Sequence, residues 1–227
     1  MAKKKILFIV SSATHIGPKN RATGNFLMET GHPYVIFKQH GYDVDIFSIK
    51  GGEAPLDGMN DKNNELCQVF LNGSGLTQMR TTRPITEVAY PEQYDAVFVP
   101  GGLAPMADMP ENKRVHNIIK TMWESGKVVS AVCHGPVSLL NVKLNDGSWL
   151  IDGKNITSFS NAEEENYAKT DVPFELETAL RKHGCNYSSV EPWQPYSITD
   201  GMLVTGQNPA SALGVGIRVV TILESKA

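Results

Sequence analysis

Short aliphatic and β-branched runs punctuate this chain, and most are followed by a stretch whose apolar positions recur at helical spacing. Six runs predict strands, at residues 5–11, 42–48, 96–100, Val128–Val132, 156–159 and 202–205. Their apolar character is nearly continuous rather than alternating, which suits strands covered on both faces. Helical patterns fall at 24–40, 112–125, 137–140, 164–183 and 209–224. This alternation predicts an α/β fold with a mostly parallel sheet between two helical layers. Residues 51–90 are richer in Gly, Asn, Asp and Thr and more weakly patterned. They are expected to form an insertion packed on the same domain, near the site entrance. No repeat, low-complexity tract or linker divides the chain, so residues 1–227 are expected to form one domain.

The strand at Val128–Val132 stops at Cys133, and His134-Gly135-Pro136 follow at the start of a predicted helix. Pro is tolerated in a first helical turn, and Gly permits a sharp reversal before it. This is the layout of a nucleophile elbow, which exposes one side chain at the carboxyl edge of a parallel sheet. The positive end of the following helix is expected to lower the Cys133 pKa. Free Cys is more often a buried structural residue. The strand–Cys–His–Gly–Pro order is what argues for a nucleophile here.

Three further features bear on that role. Glu29 falls on the same helical face as Phe26, Ile36 and Phe37, the face expected to meet the sheet. A carboxyl there must be paired, protonated or chemically engaged. The alternative is that Pro33, which cannot donate to the Glu29 carbonyl, kinks the helix and swings Glu29 into solvent. Gly101-Gly102 follows the strand at 96–100, where a backbone N–H can face a developing oxyanion, with the His134 amide as second donor. The run Glu163-Glu164-Glu165 follows the strand at 156–159 and offers an acid to orient His134, although acidic runs commonly just open a solvated helix. His134 directly follows Cys133, so backbone direction alone is not expected to bring its ring onto the sulfur.

Composition narrows the class. Of 227 residues, 41% are hydrophobic and 20% charged, and the net charge of −3 suggests neither a nucleic-acid nor a membrane-surface partner. No apolar run is long enough to span a bilayer, and the N-terminal segment lacks a signal-peptide pattern, so a cytoplasmic location is expected. Cys67, Cys133 and Cys185 fit neither a disulfide framework nor a zinc site. His15, His32, His40, His116 and His183 show no metal-ligand spacing.

The Ala131–Pro136 elbow, the Gly24…Glu29 segment before His32-Pro33, and the tail Thr205-Gly206-Gln207-Asn208-Pro209-Ala210-Ser211 together resemble the PfpI/ThiJ (class I glutamine amidotransferase-like) superfamily. Within it the chain is most similar to the heat-shock chaperone and glyoxalase III subfamily, over nearly its whole length. The resemblance implies a flavodoxin-like three-layer α/β sandwich and a homodimer. It also implies a Cys133–His134–acid site, with Glu164 the best match for the acid and Glu163 the alternative. Glu29 would hydrogen-bond the thiol, and the Gly102 and His134 amides would form the oxyanion hole. The implied reaction converts methylglyoxal or a related 2-oxoaldehyde to a 2-hydroxy acid such as D-lactate, with no cofactor or metal. A thiol hydrolase (peptidase, amidase or deglycase) and a stress-linked holdase chaperone or cysteine redox sensor are the alternatives. Relatives of this subfamily often carry Gly-Gly-His-Gly where this chain has Gly101-Gly102-Leu103-Ala104, a departure that bears on substrate choice.

Overall fold

Alternation of side chains along the strands builds two apolar layers on one sheet. The computed structural model describes residues 3–226; Met1, Ala2 and Ala227, which the sequence reading included, lie outside them. The sheet strands are β1 (Lys5–Val10), β2 (Asp43–Ser48), β3 (Arg83–Pro84), β4 (Ala96–Val99), β5 (Val128–Val132), β6 (Ser197–Asp200) and β7 (Leu203–Gly206). Their order is β6-β7-β5-β4-β1-β2-β3, with only the β6–β7 pair antiparallel. Leu7, Ile9, Val97, Val99, Val129, Ala131 and Leu203 face one layer, which includes Val115, Ile118, Ile119 and Met122 of helix α4 (Lys113–Glu124). Ile6, Phe8, Val10, Phe98, Val128, Val132 and Val204 face the other. There, helices α1 (Leu27–Gln39) and α6 (Ala212–Ser225) cover them. The period-two alternation of a strand explains the division, and full coverage explains the unbroken apolar runs. The predicted mostly parallel three-layer α/β sandwich is the fold observed.

The boundaries were less well predicted. Residues 51–90 hold helices α2 (Glu65–Leu71) and α3 (Ser74–Arg80) as well as edge strand β3. Cys67, Phe70 and Met79 bury themselves in the α1 layer, so the few apolar positions were sufficient to anchor the segment. The strand expected at 156–159 does not join the main sheet. Asn155–Ile156 instead pairs with Asn186–Tyr187 in a separate two-stranded ribbon. The helix expected over 164–183 is two elements, a turn at Asn161–Glu164 and α5 (Leu176–Lys182), divided at the Asp171–Phe174 stretch around Pro173. Strand β6 was missed, although Asp200-Gly201 marks a tight hairpin and Gly201 takes φ +59°.

Candidate active site

The elbow is strained where the sequence reading placed it. Cys133 adopts φ +60°, a left-handed conformation unusual for a residue with a side chain. Its N–H donates to the Gly206 carbonyl (2.9 Å) and its carbonyl accepts from the Phe159 N–H (2.9 Å). Those bonds hold the turn against the strain. Gly135 is required beside it, since a Cβ there would lie 2.3 Å from the Val99 carbonyl oxygen. The helix after the elbow is only a 3-10 segment, Gly135–Leu139.

This geometry corrects one expectation. The His134 ring does reach its neighbour, with Nδ1 3.5 Å from Cys133 Sγ, because the left-handed turn folds consecutive side chains together. His134 Nε2 donates to Glu164 Oε2 at 2.6 Å. With Nε2 carrying the proton, Nδ1 presents a lone pair to the thiol. Glu164 and His134 are both buried. The neighbouring Glu163 does different work. It closes a capping box with Ser160, accepts the Trp193 N–H (2.8 Å), and takes the Asn208 Nδ2 (2.8 Å) and Gln207 Nε2 (3.1 Å) donors. The tail motif is thereby tied to the turn that carries Glu164. Of the alternatives, the arrangement brings Glu164 to the histidine and gives Glu163 to the scaffold.

Helix α1 runs through Pro33 without a break, so Glu29 stays inside, fully buried. The Gly101 N–H donates to its Oε2 at 2.7 Å, while Oε1 has no protein partner among the described residues. Gly101 and Gly102 make the approach possible. A Cβ on Gly101 would lie 2.5 Å from Glu29 Oε2 and 2.8 Å from the Cys133 Cβ. Gly102, at φ +89°, would drive a Cβ to 2.2 Å from the Gly24 carbonyl oxygen. The Phe26 N–H in turn donates to the Gly101 carbonyl (3.1 Å). The segment before α1 thus lies on the glycine pair, and Glu29 arrives one helical turn later.

Burial pushes the Glu29 carboxyl up to about 8, against hydrogen bonds to Cys133 and to the Gly101 and Gly102 amides that pull it down. Burial and the Glu29 charge raise the Cys133 thiol as well, while the Gly102 N–H on the sulfur favours the thiolate. The expected lowering by a helix terminus is therefore not found. The following helix is short, and desolvation outweighs its dipole. Near neutrality both the carboxyl and the thiol hold their protons.

An aromatic wall rises on the His134 side, and the sequence reading did not identify it. Phe159 lies 4.5 Å from the His134 ring, Tyr167 and Trp193 pack edge-on against Phe159 at 5.5 and 5.4 Å, and those two meet at 5.9 Å. Trp193 is half exposed and held at φ +66°. The signal available was the cluster of Tyr and Trp downstream of the acidic run. Leu103 packs in the α4 layer, away from the layer that contains Cys133. The departure from Gly-Gly-His-Gly thus places its bulk in the core. A cavity of about 830 Å³, lined in part by Ile16, Met106, Asp108, Val172 and Phe174, includes none of Cys133, His134, Glu29 and Glu164. Among the described residues no cluster of three His, Cys, Asp or Glu is arranged to hold a metal ion. No helix among them is long and apolar enough to cross a membrane.

The DJ-1/PfpI family model matches residues 22–221, a span that contains the glycine pair, the elbow, Glu164 and the tail. The chain belongs to the DJ-1/PfpI family. Within the family it is 32% identical to the glutathione-independent glyoxalase HSP31 of Saccharomyces cerevisiae, over 99% of this chain and all of that protein. It is 30% identical to glyoxalase 3 of Candida albicans, covering 97% and 98% of the two chains. The crystal structure of Candida albicans glyoxalase III superposes with a TM-score of 0.88 at 29% identity, over 96% and 97% of the chains. The Francisella tularensis Rapid Encystment Protein superposes at 0.90 with 35% identity, over 97% and 99%.

Proposed function

We propose that this DJ-1/PfpI protein is a glutathione-independent glyoxalase that isomerises methylglyoxal or a related 2-oxoaldehyde to a 2-hydroxy acid without a cofactor. The observation that carries the proposal is the pair of proton carriers flanking one sulfur, His134 Nδ1 at 3.5 Å on one side and the buried, proton-holding Glu29 on the other. His134 Nδ1 takes the Cys133 thiol proton, and the thiolate adds to the aldehyde carbon to give a hemithioacetal whose oxygen faces the Gly102 and His134 amides. Glu29, in its ionised form, takes the proton from that carbon and returns it to the adjacent ketone carbon through an enediol, so the former aldehyde carbon becomes the thioester and the ketone becomes the alcohol. Water activated by His134, which Glu164 holds in register, then releases the hydroxy acid and restores the thiol. Oxidation of one carbon balances reduction of its neighbour, so no redox partner enters.

Cys133 is only 3% exposed, which supports a small aldehyde rather than a peptide threaded through a groove. A redox sensor needs an accessible, readily ionised thiol. Burial of Cys133 supports the lyase reading over that one. A homodimer and a cytoplasmic location are part of the same proposal.

The test is D-lactate formation from methylglyoxal by wild type and by Cys133→Ala, with circular dichroism as a check of folding. The expected result is turnover in wild type and a loss of at least about a thousandfold in the variant. Substantial lactate from a folded Cys133→Ala protein would refute the mechanism.

A further inference from the structure

The mechanism leaves one charge without a named partner. When Glu29 removes the proton from the aldehyde carbon, the C–H electron pair becomes the new carbon–carbon double bond. The π pair of the neighbouring ketone then moves onto its oxygen. The Gly102 and His134 amides serve the other oxygen. A donor is needed at the second one.

Tyr167 is placed for it. Its N–H donates to the Glu164 carbonyl (3.1 Å), so it stands one turn beyond the acid that orients His134. Its side chain packs against both apolar layers, including the one that contains Cys133, and its hydroxyl feels the charges of Cys133 and Glu29. Phe159 and Trp193 fix one side of the ring. The Arg21 guanidinium lies over it, 4.9 Å from the centroid, and also bonds the Tyr167 carbonyl (3.0 Å) and Asp171 (3.1 Å). Trp193 is itself held by Glu163. The ring is thus immobilised from its backbone and from two sides, while its hydroxyl has no hydrogen-bond partner among the described residues. A partly buried phenol fixed this way, with a free O–H, is a preorganised donor. Burial and the Cys133 and Asp57 charges hold it well above its usual pKa, so it keeps its proton throughout the working range.

We propose that Tyr167 is a further catalytic residue, its hydroxyl donating to the second carbonyl oxygen of the 2-oxoaldehyde as negative charge develops there. The inference rests on the glyoxalase reading above. It assigns the enediol two donor sets, backbone amides at one oxygen and a phenol at the other.

Tyr167→Phe removes only the hydroxyl and keeps the ring between Arg21 and Trp193. Steady-state kinetics with methylglyoxal should show kcat reduced about ten- to a hundredfold with KM changed less than about threefold, because the bond strengthens only as charge develops. The Tm should match wild type, since no protein hydrogen bond is lost. Wild-type kcat in the variant overturns the assignment, as does a change confined to KM. A fall in kcat that tracks a fall in Tm overturns it too, by assigning the hydroxyl a structural role. If wild type itself makes no D-lactate, the glyoxalase reading fails first and this one with it, so the two failures are told apart by the wild-type assay.

Discussion

Cys133 and Glu29, the two residues on which the proposed mechanism turns, are each shifted by burial toward holding a proton. Glu29 gives this a measurable signature. Its carboxyl is at about 8 in the folded chain against an ordinary 4.5, so between those values the folded state keeps a proton that the unfolded state releases. Stability from this group is therefore fully present below about 4.5 and is lost as pH rises through 8. Glu29→Gln should remove that slope. Denaturant titrations at pH 5 and pH 9 are expected to show wild type losing about 2–4 kcal/mol more than the variant across the interval. In activity, wild-type kcat/KM should rise with pH through about 8 as the base ionises, while Glu29→Gln should fall by about 10²–10⁴ and lose that limb. A variant with the wild-type pH profile would remove Glu29 from the proton path.

Elements deliver these residues through close backbone contact. The loop after β4 can lie against the segment before α1 only because Gly102 has no side chain and takes φ +89°. Gly102→Ala should destabilise the fold by at least about 2 kcal/mol in denaturant melts, and lower turnover in the surviving folded fraction. Glycine-pair turns are common, and the sequence could not show that this one is clamped between Gly24 and Cys133. The same limit explains the other misses. The 156–159 run has strand character, but its partner, Asn186–Tyr187, is some thirty residues away and too short to announce itself. The Cys133 turn, by contrast, was legible from local pattern alone, because an elbow is a short-range feature. The amphipathic face pointed to Glu29, but only the unbroken run of α1 through Pro33 placed it inside.

At the scale of the molecule, Cys133, His134 and Glu29 are buried as deeply as the apolar layers themselves, so the thiol is shielded along with the core. That arrangement makes a prediction about oxidants. Cys185 is less buried than Cys133, and peroxide titration followed by mass spectrometry should show Cys133 sulfinate forming no faster than oxidation at Cys185. Preferential oxidation of Cys133 would favour a sensor over a lyase. The sequence by itself determined the layered α/β architecture and the elbow, because both follow from side-chain period and from the backbone preferences of Gly and Pro, which are local. It also carried the family resemblance that the DJ-1/PfpI match bears out. Only the tertiary structure decided that Glu164 rather than Glu163 meets His134, that the thiol pKa is raised rather than lowered, and that Phe159, Tyr167 and Trp193 form the wall beside the site. Those outcomes depend on burial and on contacts between segments far apart in the chain, and no local pattern encodes either.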